Sequence, residues 1–339
     1  MLPGYAEPLA THEFTSRFAA LRDAGFYRDT QGLAVSSIGI GSYLGALDEK
    51  TDRGYSEAVA AAVRGGINFI DTSLNYRNQR SELSIATAIA ELVAAGDVRR
   101  SEFHVCTKAG YLVPNATPSL DPADVVGRTH CLAPDFLADQ LERSRSNLCL
   151  ETIDVFYLHN PETQLKTVPR GDFDARIQAA FEMLEQKADE AKIRFYGAAT
   201  WAGFRKPAGH PEGLSLRRME EIARAVGGPG HRFRFIQLPL NLAMREAVDG
   251  SRPTILETAG ELGISVVASA SLLQARLAQN LPDEVAQSFP GLATDAQRAL
   301  QFTRSAPGVS VALVGMSSAA HVKENLAVAS VSPAGRQER

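Results

Sequence analysis

Short apolar runs alternate along the chain with longer segments in which apolar residues recur at helical spacing. Eight runs have the length of a β-strand, at residues 36–41, 67–71, 103–108, 153–159, 194–199, 233–238, 264–269 and 309–315. Eight segments show the helical pattern, at residues 55–64, 81–95, 134–147, 173–190, 215–226, 253–262, 295–305 and 318–328. In the third of these, Phe136, Leu137 and Leu141 fall on one face and charged residues lie opposite. The pattern predicts strands and helices in regular alternation.

Strands of this kind, apolar along their whole length and separated by helices, pair in parallel with both faces of the sheet buried. Eight such units can close on themselves into a (β/α)8 barrel. The alternative is an open, doubly wound sheet, which would need a GxGxxG phosphate turn after its first strand. The sequence there is GIGSYLG, residues 39–45, whose glycines have a different spacing. The pattern therefore favours an α/β protein with a (β/α)8 TIM barrel.

Domain organisation follows from the lack of any break in composition. We expect a single barrel with an N-terminal extension over residues 1–330 and a flexible C-terminal tail over residues 331–339. Three long connections each follow a predicted strand, at residues 109–133, 200–214 and 270–294. In a barrel, such connections gather at the carboxyl ends of the strands, which is the face where active sites are built.

Composition narrows the class of protein. The chain is 45% hydrophobic and 22% charged, which is typical of a soluble globular protein, and its net charge of −4 argues against a nucleic-acid partner. No stretch approaches the roughly 18 apolar residues of a membrane span, and the N-terminus lacks the pattern of a signal peptide. Three cysteines without CxxC spacing indicate a reducing compartment, and we expect a cytoplasmic protein without structural zinc.

Three predicted strands end on an ionisable residue, namely Asp71, Lys108 and His159. For one strand, this commonly reflects only an exit into solvent. In a barrel, however, all three side chains would lie at the same rim, where a carboxylate and an ammonium offset each other's desolvation cost. Tyr76 follows Asp71 closely, and a neighbouring cation strengthens a phenol as an acid because it stabilises the phenolate. These four ionisable residues together predict acid–base chemistry at the rim of the barrel.

Asp71, Tyr76, Lys108 and His159 match, in order and in strand position, the catalytic tetrad of the aldo-keto reductase superfamily. The surrounding sequence is similar as well: GINFIDTSLNY with RSE following, LERSRSNLCLETIDVFYLHNPE, and VKENL near the end. The resemblance extends over residues 33–328, nearly the whole chain.

The resemblance implies hydride transfer from a nicotinamide cofactor to a small-molecule aldehyde or ketone, sugars included. Tyr76 would be the general acid that protonates the nascent alkoxide, or the base in the oxidative direction. Lys108 would lower the pKa of Tyr76, and Asp71 would hold and orient Lys108. His159 would position the carbonyl group by hydrogen bonding.

NADP is the cofactor that the resemblance implies, with NAD as the alternative. The implied cofactor-binding residues are Thr200, Gln237, Gly315, Ser317, Ser318, Lys323, Glu324 and Asn325. Gly315, Ser317 and Ser318 precede a predicted helix, where backbone donors are available to a phosphate, although serine there also fits a plain N-cap. Relatives that prefer NADP carry arginine or lysine in this region, and Lys323 is the candidate here.

Several positions depart from the family pattern. Ala199 stands where the family has serine, and Ser269 stands where relatives have an aromatic residue that stacks on the nicotinamide, so weaker ring binding is expected. Arg77 follows Tyr76 where relatives usually have glycine; it would narrow the substrate mouth, meet an anionic substrate or lie in solvent. Trp201, the only tryptophan, would line the substrate pocket or serve in packing.

Two other interpretations stay open at this point. One is a barrel that binds nicotinamide in a regulatory or structural role, with little or no turnover; Ala199 and Ser269 favour it, and the complete tetrad argues against it. The other is an unrelated barrel enzyme in which the match is accidental. No metal site is expected, since His130 and Cys131 form only a pair of ligands.

Overall fold

The computed structural model describes residues 1–207 and 209–335, and it contains all eight predicted strands close to their expected bounds. They are β1 (Ile38–Gly41), β2 (Phe69–Asp71), β3 (His104–Ala109), β4 (Ile153–His159), β5 (Ile193–Ala199), β6 (Phe233–Pro239), β7 (Ser265–Ser269) and β8 (Val309–Gly315). Each pairs in parallel with its neighbours, and the sheet closes in the order β6-β7-β8-β1-β2-β3-β4-β5. The predicted (β/α)8 barrel is confirmed, and the open sheet is wrong.

Eight helices follow the strands in turn. They are α1 (Glu49–Arg64), α2 (Arg80–Ala94), α3 (Pro134–Leu148), α4 (Arg170–Asp189), α5 (Leu216–Gly227), α6 (Ile255–Glu261), α7 (Asp295–Arg304) and α8 (Ala319–Leu326). The largest difference from the sequence prediction is at α1, which begins at Glu49 and not at residue 55. Asp48 caps this helix, since its side chain accepts a hydrogen bond from the Thr51 N–H at 2.8 Å. The early turns are polar and exposed, so they lack the apolar spacing that predicted the rest.

Several short elements lie outside the alternating pattern. Four of them are helices: Pro8–Ser16, Ala19–Asp23, Glu246–Asp249 and Asp283–Ser288. Two hairpins are formed by Tyr27–Thr30 with Leu33–Ser36 and by Val125–Val126 with His130–Cys131. The 3₁₀ segments are Arg100–Glu102, Pro122–Asp124, Pro161–Lys166, Gly203–Arg205, Gly228–Gly230 and Ala327–Ser330. In the part of the chain that the structure describes, no helix is long and apolar enough to cross a membrane.

The barrel interior is closed at the end opposite the predicted site. Leu33 and Val35 of the N-terminal hairpin pack with Phe69, Phe235 and other inward-facing strand residues in one buried cluster. A larger apolar layer lies between the strands and the surrounding helices. Gly197 on β5 leaves no room for a side chain, since a Cβ there would overlap the Phe235 carbonyl oxygen of β6. The barrel interior is therefore filled by side chains at this end.

The N-terminal segment is attached to the closed end of the barrel through partners that lie far along the chain. The Leu2 N–H donates to the Cys149 carbonyl at 2.6 Å, and the Glu151 N–H donates to the Leu2 carbonyl at 3.0 Å. The Ala6 N–H donates to Asp154 Oδ1 at 2.7 Å. The N-terminal extension predicted from the sequence is thus part of the packed fold.

The predicted C-terminal tail is partly packed against α7. Gln301 Nε2 donates to the Ser332 carbonyl at 2.7 Å, and the Ala334 N–H donates to Ser305 Oγ at 2.8 Å. The start of the segment predicted to be flexible is therefore held in place. The remainder of it, residues 336–339, lies outside the described residues.

One buried residue of the barrel is unusual because it is polar and unpaired. His104 on β3 is buried, and neither ring nitrogen has a hydrogen-bond partner among the described residues. Its ring stacks on Phe69 with 5.7 Å between the centroids. Burial lowers the pKa of His104 from 6.5 to about 4, so the imidazole is neutral in the folded protein.

We expect His104→Phe to make the fold less sensitive to acid. The unfolded chain takes up a proton on this imidazole near pH 6.5 and the folded protein does so only near pH 4, so stability present above pH 6.5 is lost as the pH falls through this window. The full loss amounts to about 3 kcal/mol. Urea unfolding of both proteins at pH 7 and pH 4.5 measures it. If the difference in unfolding free energy between the variant and the unaltered protein is the same at both pH values, His104 is not the neutral buried group assigned here.

Candidate active site

The four predicted tetrad residues lie together at the carboxyl ends of neighbouring strands. Asp71 is the last residue of β2, Lys108 lies near the end of β3, and His159 is the last residue of β4. Lys108 Nζ donates to Asp71 Oδ1 at 2.5 Å and to the Thr72 carbonyl at 2.6 Å. The same nitrogen lies 5.0 Å from the centroid of the Tyr76 ring. Both members of the Lys108–Asp71 ion pair are buried.

A fifth side chain completes the surroundings of the aspartate. Gln237 on β6 donates through Nε2 to Asp71 Oδ2 at 2.9 Å, so the two carboxylate oxygens have separate partners. Gln237 was predicted only as a cofactor residue. The structure places its amide against Asp71, where it fixes the carboxylate that holds Lys108.

Burial and charge act in opposite directions on the acid–base pair. Burial raises the pKa of the Tyr76 phenol, and the Lys108 ammonium draws it down only in part. Lys108 thus lowers the pKa of Tyr76, as the resemblance implied, but burial outweighs it; the net direction is upward and Tyr76 is protonated at neutral pH. Burial alone would lower the pKa of Lys108, but the Asp71 carboxylate acts against it, and the net direction is upward. Lys108 is therefore the charged partner of a neutral phenol.

His159 is a neutral imidazole beside the phenol. The two rings meet edge to face with 5.8 Å between their centroids. Burial, Lys108 and His130 hold the pKa of His159 well below 6.5. Nδ1 lies 3.1 Å from Ser73 Oγ. The Ser73 hydroxyl, which has one proton to donate, also lies 2.7 Å from Asn75 Oδ1 and 3.1 Å from the Lys108 carbonyl. The tautomer of His159 that carries its proton on Nε2 is the one that can donate to a carbonyl oxygen.

The long loop after β3 supports His159 through residues whose role the sequence did not reveal. His130 Nε2 donates to the His159 carbonyl at 2.8 Å, and Gln164 Nε2 donates to His130 Nδ1 at 2.8 Å. The Tyr111 ring meets the edges of both imidazoles with 5.1 Å between centroids. From the sequence, His130 was considered only as one of a pair of residues too few for a metal site. Its partners are far apart in sequence, so no local signal could have shown this network.

The residues predicted to bind the phosphate end of the cofactor lie after β8 and along α8. Gly315 ends β8, and Ser318 caps α8 by accepting the His321 N–H at 3.3 Å, so the plain N-cap interpretation also describes this serine. Ser317 and Glu324 are partly exposed, and Lys323 is exposed. Asn325 is buried, and its Oδ1 has no partner among the described residues.

The connection after β7 has a backbone suited to an anion, which the sequence did not predict. Ala270, Leu273, Gln274 and Ala275 have positive φ angles of 56°, 46°, 54° and 68°. Ser271 between them is buried, and its Oγ has no partner within the described chain. Successive amides in such turns form concave binding sites for anions. Ser271, in this connection, and Asn325, in α8, are thus buried polar side chains that could hold a cofactor.

The nicotinamide end offers fewer side-chain groups. Thr200 is buried after β5, and its N–H donates to the Gln237 carbonyl at 2.8 Å. Ala199 brings no polar side chain, and its carbonyl accepts the Asn160 N–H at 2.6 Å. Ser269 ends β7 without an aromatic ring. The hydroxyl of Thr200 and the amide of Gln237 are thus the side chains at this end that could hold a carboxamide.

Arg77 does not lie in solvent, and it does not offer a free charge to a substrate. Its side chain is 1% exposed and pairs with Asp52 at 2.7 Å. It also donates to the Ala46 carbonyl through Nε at 2.9 Å and Nη2 at 2.7 Å. Trp201, by contrast, is half exposed at the rim after β5.

Comparisons with known proteins agree with this geometry. The model of the aldo/keto reductase family matches residues 37–334. An L-galactose dehydrogenase from Arabidopsis thaliana is 25% identical, and the alignment covers 87% of this chain and 85% of the relative. Aldo-keto reductase family 4 member C11 from Arabidopsis thaliana is 27% identical over 53% of this chain, and the chain spans only 50% of the length of that relative.

Among solved structures, an aldo/keto reductase from Klebsiella pneumoniae in complex with NADP and acetate has a TM-score of 0.64 to this chain. It is 22% identical, and the alignment covers 90% of this chain and 89% of the other. The family match confirms the predicted family and the predicted class of enzyme, an oxidoreductase. Since that match spans the barrel from β1 to beyond α8, this chain belongs to the aldo/keto reductase family.

Proposed function

We propose that the protein is an NADP(H)-dependent reductase of aldehydes or ketones, with NAD(H) as the alternative cofactor. The observation that carries the proposal is the buried Lys108–Asp71 ion pair beside a protonated Tyr76. A cation held at this place has a clear chemical use, because it stabilises the phenolate that remains after proton donation. A neutral His159 at the same rim supplies a hydrogen-bond donor.

The cofactor is proposed to extend from Thr200 and Gln237, past the connection after β7, to the start of α8. Ser271 and Asn325 are the strongest support, since each has a buried oxygen without a partner in the described chain. The Klebsiella pneumoniae relative was solved with NADP. When bound, the reduced nicotinamide supplies the hydride. Lys323, Ser317 and Ser318 are the proposed partners of the 2′-phosphate.

The protein's own groups would handle the proton. His159 Nε2–H donates to the substrate oxygen and orients it toward the Tyr76 hydroxyl. Tyr76 gives its proton to that oxygen as negative charge develops there. Lys108 stabilises the phenolate, and Asp71 keeps Lys108 in place. In the oxidative direction the phenolate takes the proton back.

Fluorescence titration with NADPH and NADH, followed by turnover of a panel of aldehydes and ketones, tests the proposal. We expect binding of NADPH and reduction of at least one carbonyl compound. Binding without turnover would favour the alternative, a barrel that binds nicotinamide in a regulatory or structural role. If neither cofactor binds, the proposed function is wrong.

We expect Asn325→Leu to weaken NADPH binding by roughly tenfold, which corresponds to the loss of one hydrogen bond in a buried site. The substitution keeps the size of the side chain and removes the oxygen that lacks a partner in the described chain. NADPH titration of the variant measures the effect. Gln178→Leu, which removes an exposed amide on α4, is the control and should bind NADPH as the unaltered protein does. Equal affinity in both variants would show that Asn325 does not contact the cofactor.

A further inference from the structure

We propose that Arg77 is a positioning residue that fixes the β1–α1 connection, residues 42–48, as an apolar wall of the substrate site. The substrate class that fits this wall is a carbonyl compound with an aromatic or branched aliphatic substituent. The inference rests on the proposed reductase function and adds to it a substrate class and the residue that sets it.

The first observation is the set of bonds between Arg77 and the connection. Its guanidinium donates to the Ala46 carbonyl through two nitrogens, at 2.9 and 2.7 Å, and to the Asp48 carbonyl at 3.4 Å. Asp52 on α1 holds the same guanidinium at 2.7 Å. The Tyr55 hydroxyl donates to the Leu44 carbonyl, and the Arg77 guanidinium lies 5.3 Å from the Tyr55 ring centroid. The connection is thus bound at several backbone carbonyls by two buried side chains.

The backbone after the proposed acid aims Arg77 at this connection. Arg77, Asn78 and Gln79 have consecutive positive φ angles of 49°, 50° and 71°, and none of them is glycine. Such residues carry an energetic cost and persist where the surrounding structure determines them. In this turn Tyr76 stays partly exposed, while the next side chain, Arg77, is buried against the connection.

The second observation is the group of exposed apolar side chains on the connection. Tyr43, Leu44 and Leu47 are 53%, 49% and 56% exposed. The Tyr43 ring meets the Tyr76 ring edge to face with 4.9 Å between centroids, so this apolar surface begins at the proposed acid. Trp201, 44% exposed, follows β5, which lies four strands from β1 on the opposite side of the barrel.

Exposed apolar side chains that adjoin polar catalytic groups are the usual lining of a ligand site. Here the polar groups that would orient the carbonyl are Tyr76 and His159, and the apolar surface meets Tyr76 through the ring of Tyr43. A polyhydroxylated substrate would leave its hydroxyl groups against Leu44 and Leu47 without hydrogen bonds, which costs affinity. An aromatic or branched aliphatic substituent would bury the same surface favourably.

The test compares kinetics with 4-nitrobenzaldehyde and with glyceraldehyde under saturating NADPH. The unaltered protein should have the higher kcat/KM for 4-nitrobenzaldehyde. Arg77→Ala should raise KM for 4-nitrobenzaldehyde by about tenfold, while kcat and the KM for glyceraldehyde change by less than about twofold. Arg77→Lys keeps the charge beside Asp52 but not the two-pronged contact with Ala46, and it should restore part of the loss.

Leu47→Asn is a second variant that leaves the Arg77 contacts in place and alters only an exposed side chain, so its effect does not depend on how well Arg77→Ala folds. It should reproduce the selective rise in KM. A preference for glyceraldehyde in the unaltered protein, or equal losses on both substrates in both variants, would overturn the inference while leaving the reductase function standing. Failure to reduce any carbonyl compound would overturn both.

Discussion

Tyr76→Phe is expected to lower kcat for carbonyl reduction by roughly 10³-fold and to leave NADPH affinity within about twofold. The variant removes one oxygen and keeps the ring, which packs against the rings of Tyr43 and His159. Burial keeps Tyr76 protonated at neutral pH, and Lys108 beside it stabilises the phenolate. The decrease in rate should therefore occur in the proton-transfer step. Single-turnover kinetics with bound NADPH would measure the rate of that step directly.

Tyr43→Phe is the matched control for this prediction. It removes the hydroxyl of the neighbouring tyrosine, whose ring lies 4.9 Å from that of Tyr76 and is half exposed. We expect its kcat to stay within a few-fold of that of the unaltered protein, on the order of threefold at most. Retention of full activity by Tyr76→Phe would show that another group donates the proton.

Lys108→Met is expected to abolish turnover and to lower the free energy of unfolding by about 3–5 kcal/mol. The variant leaves the Asp71 carboxylate buried with a hydrogen bond from Gln237 but without its counter-ion. An uncompensated buried charge is among the costliest single changes in a folded protein. Urea denaturation at pH 7 gives the stability change, and the same samples give the turnover.

The double variant Asp71→Asn/Lys108→Met separates the two effects. An asparagine can keep the hydrogen bond with Gln237 and carries no charge, so most of the lost stability should return. Turnover should not return, because Tyr76 still lacks a cation. If the double variant were as unstable as Lys108→Met, the cost would come from packing around the lysine stem and not from the unpaired carboxylate.

The strands and the tetrad could be predicted because each has a local signal. An apolar run that ends on a polar residue is visible in the sequence at Asp71 and at His159, and the barrel topology then brings such residues to one rim. Tyr76 was indicated by its position just after Asp71, and the match to the family pattern added its role toward a carbonyl substrate. What the sequence could not show was the balance of burial and charge, which leaves the phenol with a raised pKa.

Arg77 shows a different limit of prediction. Its neighbours in sequence are polar, which is typical of a solvated loop, yet its side chain is buried. The partners that bury it, Ala46 and Asp52, are more than twenty positions away and belong to a different connection and helix. A residue whose environment is made entirely by distant segments carries no local periodicity or motif that indicates it. Ser271, buried in an unusual turn, was missed for the same reason.

The attachment of the N-terminal segment to the closed end of the barrel has a consequence for how the chain is made. Ala6 and its partner Asp154 are 148 positions apart, so the first of them leaves the ribosome long before the second exists. At about 5–20 residues per second the delay is roughly 7 to 30 seconds. During that time Phe14, Leu33 and Val35, which are buried in the finished protein, have no core to enter. The nascent chain should therefore depend on chaperones until β4 has been synthesised.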